Sequence, residues 1–447
     1  MANQCKYYKV VRQVSYDSGV TWVNIGETRK GDLYEYDSAE CGAVTQYRWV
    51  DVTGQYTCDG TTKHQKTKKQ YSTDGTTWQD VSPAEYGKGN VIEYYSEDCG
   101  GGEYSDQYLT FVALEGVRFK FWSNVDNVDG VNRVSYSLDG GSNWVSLPNN
   151  TYTPMVQSGQ KIMWKGTFRH ELFPNDGNAH NYMNNFGCTG RYKVEGNIMS
   201  LLYGDDFIGK TSLADTYRVF DNLFDGWFPD SGSLVNAENL ILPATTLGES
   251  CYAAMFWNCT SLTTAPALPA TTLAPYCYET MFNGTSISTM PDLPATTLVK
   301  GCYDNMFYNC TSLTTVYALP STALEENCYD NMFAKCTSLA TVPSNMLPAT
   351  TLKKFCYFNM FQGCTSLRNA PDLPATTLVK GCYQVMFDGC SSLNYVKCLA
   401  TDISATVCTS EWLKNVSSTG TFVKNSSMND WTRGENGIPT NWTVQNA

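Results

Sequence analysis

Between Leu242 and about Leu399 the chain repeats itself, and this repetition constrains its folding more than any other feature. A unit of the form LPATTLxxxCYxxMFxxCTSLTTAP recurs with its first cysteine at 251, 277, 302, 328, 356 and 382, spaced by 26, 25, 26, 28 and 26 residues. A second cysteine follows eight residues later at 259, 310, 336, 364 and 390, and Thr285 takes its place once. The segment YRVFDNLFDG, around Phe220, Leu223 and Phe224, reads as a degenerate first copy. A fixed period of this length belongs to arrays in which each unit packs on its neighbours, so a single copy cannot bury its own apolar face while a stack can.

On a helical wheel the Cys, Tyr, Met, Phe and second Cys of CYxxMFxxC share an arc of about 140°, which predicts a helix with one broad inward face. The SLTTAPxLP stretch, with its Leu, Thr and Pro, suits a short strand and turn. The expected fold is therefore multidomain: small N-terminal β modules (hairpin or sandwich-like) followed by an α/β leucine-rich repeat solenoid. Two helical cysteines eight apart lie about 12 Å from each other, too far for a disulfide, so most of the 18 cysteines are expected to be buried free thiols.

The first half differs in kind. Three segments place an Asp/Gly turn before a tryptophan, at Trp22, Trp78 and Trp144, with aromatic and β-branched residues on either side, as β-hairpins do. The expected boundaries are 1–44, 45–104 and 105–196 for three β modules, 197–400 for the repeats and 401–447 for a C-terminal cap. Cys5 and Cys58 open the modules that Cys41 and Cys99 close, which leaves intramodule bridges open as an alternative to free thiols.

Thirty-one Lys and Arg against 43 Asp and Glu give a net charge of −12, which disfavours a nucleic-acid partner. No stretch of about 18 apolar residues occurs, so membrane insertion is not expected. The start, MANQCKYYKVVRQ, carries no apolar leader core, which points to a product made and left in a cytoplasm if Met1 is the native start.

Motifs for chemistry are sparse. SYDSGVTW, from Ser15 to Trp22, matches the Asp-box hairpin of sialidases and related propellers, a structural turn that supplies no catalytic group. His170 and His180, with Glu171, Asp176 and Cys188, match no metal-ligand spacing and read as a polar loop. No GxSxG elbow, P-loop or dinucleotide fingerprint is present, and neither an enzyme activity, a cofactor nor a metal is expected. Candidate ligand or partner positions are those the wheel leaves outside: the aromatics Trp257, Tyr308 and Phe358, and Thr264, Thr315 and Arg368 on the strand face beside Thr263, Thr314 and Asn369.

The coils MFWNCTSLTTAPALPATTLAPYCYETMF and MFYNCTSLTTVYALPSTALEENCYDNMF resemble the BspA-type leucine-rich repeats of Bacteroides surface proteins and of phages that infect Bacteroides, the crAss-like phages among them. The lead-in EGNIMSLLYGDDFIG and the ending from ATDISATVCTSEWL to GIPTNWTV resemble the caps of that family, so the likeness spans about 130–447. It implies adhesion or recognition, without naming a ligand. The lack of an export signal favours a phage virion protein, a fibre or a head or tail appendage assembled in the host cytoplasm. Its N-terminal modules would bind other virion proteins, and its repeats a host cell-surface protein or glycan. The alternative is a Bacteroides cell-surface adhesin binding host proteins or glycans. A homo-oligomer stays open, because no heptad stretch sets an oligomeric state.

Met306→Asp or Phe307→Asp is expected to unfold the array by burying an unpaired charge, whereas Trp257→Ala should leave the melting temperature nearly unchanged. Similar melting losses for all three variants would contradict the inward and outward assignment.

Overall fold

The computed structural model describes residues 12–14, 23–25, 46–59, 62–72, 77–82, 84, 86–93, 107–123, 133–168, 184–226, 231–429 and 431–447. The chain divides into two compact units, Met1–Gly102 and Glu103–Ala447.

In the first unit β1 (Arg12–Val14) pairs antiparallel with β2 (Val23–Ile25). The long strands β3 (Gln46–Asp59) and β4 (Thr62–Ser72) form an antiparallel ladder, with β5 (Gln79–Asp80) and β6 (Tyr86–Glu93) also on β4. Cations on this sheet cover its aromatic rings: the Arg48 guanidinium lies 4.2 Å from the Trp78 ring centre and Lys66 Nζ 4.2 Å from that of Tyr86. Cys58 is disulfide-bonded. Cys5, Cys41 and Cys99, like the Asp-box match at Ser15–Trp22, lie outside the described residues.

The second unit begins with a seven-stranded sheet. Its strands are β7 (Leu109–Ala113), β8 (Phe119–Ser123), β9 (Val134–Ser137), β10 (Val145–Ser146), β11 (Lys161–Gly166), β12 (Asn184–Asn197) and β13 (Ser231–Ile241). They run in the order β10-β9-β11-β7-β12-β13, with β8 also on β12; the β12–β13 pairing is parallel and the others are antiparallel. Alternation along β8 and β11 sends Phe119, Phe121, Ile162 and Trp164 into the core, where they meet Phe111, Phe186 and Tyr192. The boundary expected at 196/197 falls at the end of β12, and one core runs without a break from Leu109 to Trp442.

The repeats correct the expected fold class: they are not an α/β leucine-rich solenoid. Among the described residues the only α-helix is the short α1 (Ser200–Tyr203), followed by one 3₁₀ turn, Gly204–Asp206. The segments read as helices are chains of tight turns. From Cys251 to Cys259, every second N–H bonds a carbonyl three residues back in its own coil, as from Ala253 to Ser250 (3.1 Å) and from Met255 to Tyr252 (3.3 Å). The N–H groups between them reach the next coil, from Tyr252 to Cys277 (3.0 Å), Ala254 to Glu279 (2.8 Å) and Phe256 to Met281 (3.0 Å).

A residue with positive φ recurs every fourth position, as at Ser250, Ala254 and Asn258 and again at Asn327, Asn331 and Lys335. One such residue per turn forbids a helix, because the left-handed conformation breaks the i to i−4 ladder. Asn and Gly, which tolerate it best, fill most of these positions. Gly301 and Gly381 have a second reason: a Cβ there would stand 2.4 Å from Tyr276 Cε1 and 2.2 Å from Phe355 Cε1.

The inward face itself stays as read, since Cys, Tyr, Met and Phe of every coil are buried. Offsets 0, 1, 4, 5 and 8 satisfy a period of four as well as one of 3.6. The rings stack coil on coil in two columns. Phe220, Tyr252, Tyr278, Tyr303, Tyr329, Tyr357 and Tyr383 follow one another at 5.7–6.1 Å between centroids. Phe224, Phe256, Phe282, Phe307, Phe333, Phe361 and Phe387 do so at 5.4–5.7 Å. Phe186 of β12 continues the second column into the sheet at 6.1 Å from Phe224. At the other end Trp412 stacks on Tyr383 and Trp431, and its indole N–H donates to the Gly437 carbonyl at 2.9 Å. There β14 (Tyr395–Cys398), β15 (Thr421–Lys424) and β16 (Thr443–Asn446) pair in parallel.

Val407, β-branched and 41% exposed, sits at φ 52° in the last turn segment. Val407→Gly is expected to raise stability by about 0.5–1 kcal/mol through relief of left-handed strain, whereas in a helix it would lower it by a few tenths of a kcal/mol. Urea denaturation of the two proteins decides the sign.

Candidate binding surface

The surface of the stack is built column by column, because each coil position recurs in register with the next. Trp257 and Tyr308 occupy one position, six residues after the first cysteine, with Asn283 between them and Ala334, Gln362, Asp388 and Lys414 following. Both are half-buried rather than fully exposed, and Lys335 Nζ of the following coil lies 4.9 Å from the Tyr308 ring centre. Phe358 belongs to a different column, two residues after Cys356, and packs edge-on against Phe355 at 5.9 Å. The structure therefore keeps the three aromatics as members of two columns and does not gather them into one pocket.

Thr264, Thr315 and Arg368 lie on the returning part of the coil. Thr264 is half-buried, and its carbonyl accepts from the Ala237 N–H at 3.1 Å. Thr315 is exposed and bridges in parallel to Thr289, while exposed Arg368 bonds through its backbone to Ala340 and Asn394. Much of the hydroxyl surface is spent on the stack itself. The Thr263 hydroxyl donates to Val235 O at 3.1 Å, that of Thr314 to Ser288 O at 3.3 Å and that of Ser286 to Thr260 O at 2.6 Å. Residues 197–400 carry nine basic and sixteen acidic side chains, and Asp221, Asp225 and Asp330 among the acidic ones are buried.

The second cysteine column has a use that spacing alone could not reveal. The thiols of Cys259, Cys310, Cys336, Cys364 and Cys390 donate to the carbonyls of Phe224, Phe282, Phe307, Phe333 and Phe361 in the preceding coil, at 2.8–3.1 Å. Thr285 breaks this line: its hydroxyl donates at 2.8 Å to Phe282 O of its own coil, the carbonyl that also accepts from Cys310 of the next. All fourteen cysteines from Cys188 to Cys408 are free and buried, and burial pushes thiols such as Cys251, Cys310 and Cys364 up to about 12.

Sequence reading missed a column of carboxyls. Glu279, Asp304 and Asp330 stand two residues after the first cysteine of three consecutive coils, and Asp221 holds the same position in the first coil, where it pairs with Arg218. On a helix these residues would be solvent-facing, whereas in the turn ladder they are half-buried or buried. Their shared spacing from the cysteine was the available signal.

The third Asp/Gly turn, in VSYSLDGGSNW, is the structural device expected of it. Ser137 donates to Asp139 Oδ1 at 2.7 Å, and Asn143 donates to Asp139 through its backbone (2.9 Å) and its amide (2.6 Å). These bonds hold the carboxyl down at about 2. The following Trp144 carries Lys165 over its ring at 4.5 Å and packs on Tyr108 at 4.8 Å. His170, His180, Glu171 and Asp176 lie outside the described residues, and among the described residues no group of His, Cys, Asp and Glu could hold a metal ion. No helix among them is long and apolar enough to cross a membrane.

Comparison of the chain with protein-family models, with curated proteins and with solved structures finds no match in any of the three.

Because the thiols are buried and hard to ionise, iodoacetamide at neutral pH is expected to leave Cys188–Cys408 unlabelled in the folded protein and to label all fourteen in urea. Peptide mass spectrometry reads the difference, and stoichiometric labelling without urea would contradict the packing.

Proposed function

We propose that the chain is a structural display protein of a phage particle, a fibre or a head or tail appendage, whose repeat stack attaches to a host surface protein or glycan. The observation that carries this reading is the in-register repetition of half-exposed side chains along a hydrogen-bonded stack, with Trp257 and Tyr308 two coils apart in one column. Such an array offers a ligand the same contacts several times over, which suits a repeating polymer and multiplies weak contacts by effective concentration. The N-terminal unit is then the part that meets other virion proteins, and the particle is where the protein resides after assembly in the host cytoplasm.

A second reading, a bacterial cell-surface adhesin, draws support from the disulfide at Cys58, because disulfides persist in oxidising surroundings outside the cytoplasm. Mass spectrometry of purified particles of the parent phage separates the two: the protein is expected in stoichiometric amount, and its absence there would sink the virion reading. For the binding surface, Trp257→Ala combined with Tyr308→Ala is expected to lower retention on host cells by about tenfold, with little change in melting temperature. Retention equal to that of the parent protein would remove this column from the site.

A further inference from the structure

We propose that the carboxyl column Glu279–Asp304–Asp330 is a proton-controlled joint in the repeat stack, which holds three coils together when protonated and loosens them as it ionises. Backbone bonds fix the register: the Thr280 N–H reaches Asp304 O and the Asn305 N–H reaches Asp330 O, both at 2.8 Å. The neighbouring tyrosine rungs stand 5.9 Å and 5.7 Å apart, so side chains of this column leave the stack at about the same interval. Like charges at such a spacing, partly shielded from water, repel strongly.

The surroundings do not neutralise the column. Asp304 faces Glu279 on one side, Asp330 on the other and the Asn305 amide, which donates to it at 2.5 Å. Asp330 accepts from the amides of Asn327 (2.9 Å) and Asn331 (2.6 Å), neutral groups that bond either form of the carboxyl. The same position holds Ala253 before the column and Phe358 after it, neither of which is charged. Arg218 acts at the far end, where its partner is Asp221; it favours ionisation of Glu279 against the burial that opposes it.

Burial, with repulsion from Asp330 and Glu279, lifts Asp304 to about 8; burial lifts Asp330 to about 6 and moves Glu279 upward. In the unfolded chain these groups ionise in the ordinary carboxyl range near pH 4. The folded stack holds protons that the unfolded chain has already lost, so stability falls as pH rises from that range through the folded values. Carboxyls held low, such as Asp139 and Asp402, act in the opposite sense and below this window.

Hydrogen exchange of the full chain, corrected for the chemical exchange rate and read on peptides spanning 277–336, tests the joint. Protection is expected to fall at least about tenfold between about pH 5.5 and about pH 8.5, while peptides of the sheet at 107–123 change little. Asp304→Asn is expected to raise protection at about pH 8.5 and to flatten the pH dependence; Asp330→Asn does the same to a smaller degree. Protection that is constant or rising with pH in the parent protein, or a pH dependence that survives in the variants, would overturn the proposal. Should Asp304→Asn fail to fold, Asp330→Asn and Glu279→Gln are read by the same criterion, and an unchanged slope in both counts against the joint.

Discussion

The structure of the second unit depends on a division of labour among backbone N–H groups. In each turn segment alternate N–H groups close turns within the coil, and the ones between them bond the next coil. A helix would have kept all of these bonds to itself, leaving only side chains to hold the units together. Here the backbone does both, and the inter-coil bonds set a spacing at which aromatic rings stack with nearly parallel planes. The two ring columns, the thiol-to-carbonyl bonds and the carboxyl column all follow from that register, since a position repeated in sequence becomes a line in space.

The same register joins the array to its ends without a separate interface. The sheet supplies Phe186 as one more rung, and the cap closes the tyrosine column with Trp412. An open stack would expose unpaired backbone groups and apolar rings at both termini, which is why repeat arrays need terminal units of different composition.

Much of this was legible. Period, inward residues and the burial of the cysteine ladder could be read from CYxxMFxxC, because hydrophobic side chains mark what is buried whatever the backbone does. The backbone itself was misread. Over nine residues, offsets 0, 1, 4, 5 and 8 fit a helical face and a four-residue turn repeat equally well, and the deciding signal lay at the outward positions, where Asn305, Asn309, Asn327 and Asn331 recur at four-residue intervals. A helix rich in such residues would have been a poor helix. The candidate surface was legible in part: Trp257, Tyr308 and Phe358 are correctly outside the core, yet their division between two columns depends on the backbone path. The cysteines of the repeats are free for reasons of packing and hydrogen bonding rather than from the length of a helix that does not form.

The segment from first to second cysteine is always eight residues long, whereas the return to the next coil takes 18, 17, 18, 20 and 18 residues from 259, 285, 310, 336 and 364. One inserted residue in the turn segment would shift every left-handed position after it and dissolve five columns together. In the return segment, where neighbouring coils touch through scattered single bridges, the extra residues between Cys336 and Cys356 are absorbed without disturbing the rings on either side. The stack thus has a rail of fixed gauge along one side and slack along the other, and new loops can be grafted on the slack side while the rail keeps its alignment.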